Sequence, residues 1–154
     1  MGHMTTPEET KVVSATRDIA APAARIFELI ADPSRQPAWD GNANLQQAEE
    51  GQRVHSVGDV FRMTTTKGTV RDNEVVEFEE GRRIAWCPGD EGAAPAGHLW
   101  RWELEPAEDG RTRVTHTYDW SRLTDARRLE RARSTTSENL AASIEKLAAA
   151  VESA

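Results

Sequence analysis

The chain reads as an α+β domain in which one curved antiparallel sheet of about six or seven strands wraps around a long C-terminal helix, with two short helices after the first strand. Three observations predict this. From Asn42 to Trp120, segments of strand length are rich in β-branched and aromatic residues and are parted by Gly51, Gly58, Lys67-Gly68 and Gly81. Within that run, HLWRWELEPAEDGRTRVTHTYDW at 98–120 carries three of the five tryptophans and alternates as a hairpin does. From Thr124 to Val151, good helix formers with alanine-rich turns predict the terminal helix.

Taken in order, residues 11–19, KVVSATRDI, form the first strand by β-branched content and partial alternation. Pro22 suits a first helical position, and Ala24, Phe27, Ile30 and Ala31 recur at helical spacing until Asp32-Pro33 stops the element. The proline-punctuated stretch that follows is a turn or short second helix ending at Trp39, the plug for one end of the core. Strands are expected near 44–50, 59–65, 69–79 and 82–88. In the 69–79 strand Val70, Asp72, Glu74, Val76 and Phe78 share a parity, but a bulge at Val75-Val76 would reverse its first half. PGDEGAAPAG, 88–97, is expected to be a flexible loop and a candidate lid.

The hairpin is the most informative stretch. Pairing Leu104 with Val114 sets Trp102 opposite His116, Trp100 opposite Tyr118, His98 opposite Trp120, and Glu105 opposite Arg113 on the other face. One face is then aromatic with polar tips, where a purely structural face would favour Val, Ile and Leu. On the terminal helix Leu129, Arg133, Thr136, Leu140, Ile144, Leu147 and Val151 share one face, and a capping box from Thr135 to Glu138 allows the helix to break and restart there.

Composition excludes several classes. The chain has 154 residues, enough for one domain, with 38% hydrophobic and 29% charged residues. A net charge of −7 argues against nucleic acid or an anionic membrane as partner. No apolar run could span a bilayer, so no integral membrane location is expected. Cys87 is the only cysteine, which rules out an internal disulfide and suits a reducing cytoplasm. Residues 1–10 read as a cloning scar, MGHM, and a flexible tail, with no export signal, leaving 11–152 as the single domain. His116 and His98 lie roughly 13 Å apart along the strands, and no HExxH or His-x-His spacing occurs, so neither a metal nor another cofactor is expected.

The element order resembles the START-like or Bet v 1-like (SRPBCC) superfamily with its helix-grip fold, and in particular its bacterial polyketide cyclase/dehydrase and lipid-transport branch. DIAAPAARIFELIADPSRQPAWD, VVEFEEGRRIAW, GRTRVTHTYDW and the closing helix carry the resemblance, from Val12 to Val151. It implies an apolar cavity between sheet and helix. Phe61, Met63, Trp86, His98, Trp100, Trp102, Trp120, Arg133, Thr136, Leu140 and Ile144 would line it, beside the plainer reading that these side chains simply fill the core. His116 and Tyr118, with Glu74 or Asp72 opposite, would be the acid and base groups of a cofactor-free cyclase or dehydratase; alternatively His116 is a hydrogen-bonded core histidine and Glu74 faces solvent. Arg133, and Arg71 if the fourth strand is bulged, could hold a ligand carboxylate. The charge runs RDNE, EFEE and RRLER read as solvated faces.

The leading expectation is binding of a small hydrophobic or aromatic molecule, lipid or polyketide-like. The alternatives are catalysis in the same cavity and an interaction module whose cavity is vestigial. A homodimer through a sheet edge or the exposed helix face is left open.

Overall fold

The computed structural model describes residues 10–40 and 45–152. The expected scar and most of the tail, and the start of the second strand at 44, lie outside the described residues. Seven strands form one antiparallel sheet: β1 Val12–Ile19, β2 Leu45–Gln47, β3 Val60–Thr65, β4 Val70–Glu79, β5 Arg83–Asp90, β6 Leu99–Pro106 and β7 Thr112–Asp119, in the spatial order β1-β7-β6-β5-β4-β3-β2. β1 pairs with β7, far away in sequence, while β2 to β7 follow one another as a meander.

Helix α1, Ala23–Ala31, is capped by Pro22, which stands one position ahead of the first helical turn. Ile26, Phe27, Ile30 and Ala31 face inward, and Ala24 is exposed. A 3-10 helix over Pro33–Ala38 follows, its N-terminus capped by the Asp32 side chain. It delivers Trp39 into the core, where the indole N–H donates to Leu29 O at 2.8 Å and the ring meets Trp102 edge-on at 5.1 Å. Trp39 is thus the expected plug.

The β6–β7 register is the predicted one for Trp100↔Tyr118, Trp102↔His116, Leu104↔Val114 and Glu105↔Arg113. His98 departs from it. β6 begins at Leu99, so His98 lies outside the ladder and its ring meets Tyr118 edge-on at 6.0 Å. Arg113 takes its carboxylate from β1 instead of from Glu105, donating to Asp18 at 3.1 Å.

β4 carries the bulge. Its register on β5 shifts between Val75 and Glu77, so Asn73 and Val75 are buried while Glu74 is exposed. The extra residue reverses the parity of the strand's first half. It turns Arg71 inward and Glu74 outward.

The terminal helix is two helices, α2 Ala126–Ser134 and α3 Ser137–Glu152. The break falls where a restart had been allowed, with the capping box one residue later. Thr136 N–H donates to Asn139 Oδ1 at 2.8 Å, and Asn139 N–H donates back to Thr136 Oγ1 at 3.3 Å. Thr136→Ala is therefore expected to cost about 1 kcal/mol in urea denaturation, whereas Glu138→Ala stays within about 0.5 kcal/mol. Equal losses would put the cap back at Thr135–Glu138.

α3 buries Leu140, Ser143, Ile144, Leu147, Ala148 and Val151 against the concave sheet face and α1, while α2 buries only Ala132. The extended backbone at Thr135 ends the predicted common face, leaving Arg133 and Thr136 exposed.

Candidate functional site

The concave face does not close completely over α3. A cavity of about 320 Å³ remains between the sheet, the Gln36–Asp40 turn, α2 and the middle of α3. Its aromatic wall is Trp39, Trp86, Trp100, Trp102, His116 and Tyr118. Inward parity on three neighbouring strands produces this wall: Trp86 pairs with Trp100, Trp100 with Tyr118, and Trp102 with His116.

Seven of the residues expected at the site line this cavity: Met63, Trp86, His98, Trp100, Trp102, His116 and Tyr118. Arg71, expected there if β4 is bulged, lines it too. The others stand elsewhere. Phe61 lies behind the wall, edge-on to Trp86 at 5.4 Å. Trp120 belongs to a small neighbouring cluster with Leu123, Ala132 and Leu140, and the Arg133 guanidinium sits 5.8 Å from its ring centre. Leu140 and Ile144 are fully packed, and Ser143 between them faces the cavity. Thr136 is committed to its cap. Glu74 and Asp72 belong to the outer face; Asp72 accepts from Arg62 at 3.0 Å and from Gly92 N–H at 2.9 Å.

Several lining residues carried no signal that separated them from solvated or structural positions. Gln36 donates from its amide to Ile30 O at 3.0 Å, and Asn73 to Phe61 O at 3.3 Å, so both are polar groups of the wall held by backbone. Arg127, Arg128 and Arg131 come from the RRLER run that reads as a solvated face. Helical periodicity places such residues on a face of α2, but only the break before α3 turns that face over the cavity mouth.

The 88–97 segment is no free loop. β5 extends to Asp90, Gly89 bridges Pro95, and Ala96 N–H donates to Pro88 O at 3.1 Å. Gly97 has φ +121°, and a Cβ there would meet Arg122 O at 2.2 Å, so the backbone of Arg122 and Leu123 is packed directly on it. Of this segment Pro88 lines the cavity, and so does His98, the residue just beyond it.

The electrostatics of the wall follow from burial. The His116 ring lies parallel to Trp102 at 3.7 Å and to Trp100 at 5.6 Å. Its Nδ1 faces Arg101 O at 2.9 Å, and a carbonyl can only accept, so Nδ1 carries the proton and Nε2 is the bare nitrogen of a neutral ring. Burial lowers its pKa to about 3 despite that bond. His98 is lowered to about 4 by burial and by the nearby Arg128 and Arg71 charges. Burial raises Tyr118 to about 12, against the opposing pull of Arg131 and Arg128, so its hydroxyl remains a donor. Among the described residues, the buried His98 Nδ1 and Trp102 Nε1 have no hydrogen-bond partner.

Both histidine pKa values are depressed below the unfolded value near 6.5, so the unfolded chain binds more protons. Stability is full above about pH 6.5 and falls as pH drops from there toward 4. Between pH 6.5 and 5, the urea midpoint is expected to fall with an uptake approaching two protons per unfolding event, and with about one fewer in His116→Gln. An unchanged slope in that variant would mean that His116 titrates normally in the fold.

Among the described residues there is no cluster of His, Cys, Asp and Glu suited to a metal, and no helix long and apolar enough to cross a membrane.

The family model for polyketide cyclase / dehydrase and lipid transport matches residues 10–152. The uncharacterized protein Rv0088 of Mycobacterium tuberculosis is 29% identical over 119 residues, covering 70% of this chain and 47% of that protein. The chain thus spans about half the length of the curated relatives it matches. Among solved structures, protein MLL2253 from Mesorhizobium loti superposes with a TM-score of 0.67 at 20% identity, over 92% of this chain and 97% of that one. The Aha1 dimer from Colwellia psychrerythraea gives 0.63 at 17%, over 92% and 96%. At these identities the structural likeness is one of fold.

Proposed function

Because this chain belongs to the polyketide cyclase / dehydrase and lipid-transport family, we propose that it binds a small hydrophobic or aromatic molecule, lipid or polyketide-like, between the sheet and the C-terminal helices. The observation that supports this most is the unfilled volume of about 320 Å³ against a wall of four indoles. A core built only for stability closes such space, because every unfilled contact forfeits dispersion energy. Affinity would come from apolar area removed from water, at roughly 25 cal/mol per Å². Orientation would come from Tyr118, which donates, and from the bare Nε2 of His116, which accepts.

Native mass spectrometry of gently purified protein, followed by tryptophan-fluorescence titration with fatty acids, sterols and polycyclic phenols, tests the proposal. A co-purifying mass, or saturable quenching by one class that Trp100→Ala removes, is the expected result. An empty protein silent to the whole panel would overturn it.

A cofactor-free cyclase or dehydratase in the same cavity is the second reading, favoured by the family's description and by a Tyr118 hydroxyl held protonated beside arginines. The exposed Glu74 has no part in it. On this reading Tyr118→Phe removes turnover and leaves binding intact. A reducing cytoplasm, suited to the free thiol of Cys87, and self-association belong to the same proposal.

A further inference from the structure

We propose that the mouth of the cavity is an anion subsite that holds the carboxylate of an aromatic acid against Arg71, Arg128 and Arg131, with the ring system lying inward on the tryptophans. The inference rests on the ligand-binding reading above and names its ligand class. The chain carries a net charge of −7, yet the cavity lining holds Lys67, Arg71, Arg127, Arg128 and Arg131 against the single carboxylate of Asp40. A local field opposite in sign to the whole molecule is an arrangement of this site, not an accident of composition.

The three arginines converge from two elements. Arg71 reaches in from the bulged half of β4, and Arg128 and Arg131 stand one turn apart on α2. Arg71 and Arg128 both donate to the same oxygen, Oδ1 of Asp90. Asp125 reaches Arg128 at 3.4 Å but is also the partner of Arg127 at 3.3 Å, so two carboxylates are shared among three guanidinium groups. The residual repulsion is visible at Arg71, whose pKa is lowered by burial and by the Arg128 and Arg131 charges against the pull of Asp90. Side chains of Arg71 and Arg128 retain 28% and 19% exposure, so they are partly desolvated and strengthened as donors to an anion.

Two more features belong to the same corner. His98, 8% exposed, leaves Nδ1 without a protein partner, and the Arg71 and Arg128 charges act on it. Tyr118, under the influence of Arg128 and Arg131, lies tilted against Trp100 with ring centres 4.2 Å apart. A carboxylate there would accept from guanidinium and phenol while an attached ring continued onto Trp100. The opposite orientation would bury the charge beside neutral His116 and the indoles, with no cation to answer it.

The test compares 2-naphthoate, methyl 2-naphthoate and 2-naphthylmethanol by isothermal titration calorimetry at pH 7.5, where the acid is fully ionised. The acid is expected to bind about tenfold to a hundredfold more tightly than either neutral analogue, the range that charge-assisted hydrogen bonds supply. In Arg71→Met/Arg131→Met the acid-to-ester ratio should fall to within about threefold of unity; single Arg131→Met serves if the double variant does not fold. Equal affinity of acid and ester for the wild type would overturn the anion subsite while the cavity reading stands. Binding of none of the three would overturn the aromatic-acid ligand class, leaving the cavity reading to the wider panel of fatty acids, sterols and polycyclic phenols. A preference for the acid that survives the substitutions would also overturn it, by placing the anion elsewhere.

Discussion

Trp102→Ala is expected to lower stability by about 3–5 kcal/mol, and the melting temperature by on the order of 10 °C. Trp102 has no exposed surface and lies at the centre of the sheet between Ile84 on β5 and His116 on β7. Its indole stacks on His116 at 3.7 Å and receives Trp39 edge-on at 5.1 Å. Truncation would enlarge the existing cavity and free two aromatic neighbours at once. Trp102→Phe supplies the contrast. It keeps a ring against His116 and removes an indole N–H that has no protein partner, so a loss under about 1.5 kcal/mol is expected. Chemical denaturation of the two variants measures the difference. If both lose the same, the stack is not what makes this position important.

Ser143→Phe is expected to weaken ligand binding by more than about a hundredfold while costing about 1–3 kcal/mol of stability. Ser143 is the buried α3 residue that faces the cavity, between the packed Leu140 and Ile144, and a phenyl group there would fill part of the cavity. Ala142→Phe is the control. It is the preceding residue of the helix, only half-buried and not part of the lining, so it should leave the titration unchanged. Ligand binding that survives Ser143→Phe would place the site outside this cavity. A protein partner retained by the same variant would favour the interaction-module reading, in which the cavity is vestigial.

Much of this fold could be read from local pattern. Alternation with period two identified the β6 and β7 faces, and the turn at 107–111 set their register through Glu105↔Arg113. Both signals live in neighbouring residues, where side-chain direction follows directly from backbone geometry. The same holds for α1, whose periodicity and Asp32-Pro33 stop belong to one short stretch. The aromatic half of the cavity was therefore visible as a set of residues sharing one face.

The cationic half was not. Arg128 and Arg131 sit in a charge run that any helix could turn to solvent, and their place over the mouth depends on where α2 ends and how α3 restarts. The restart is held by packing of α3 on the sheet, a contact between segments far apart in sequence. Arg133 illustrates the consequence: on one continuous helix it shares a face with Leu140 and Ile144, but across the Thr135-Thr136 break it lies over Trp120. Arg71 depended on a bulge that the Val75-Val76 doublet permitted without requiring.

The sequence by itself determined which residues form strands and helices, their order, and the aromatic face of the hairpin, because these follow from propensity and periodicity along the chain. Tertiary structure alone decided that the aromatic face remains partly unfilled and that arginines from β4 and α2 converge at its mouth. Cavity volume and charge convergence are sums over distant segments, and only the packed sheet and helices bring those segments within reach of one another.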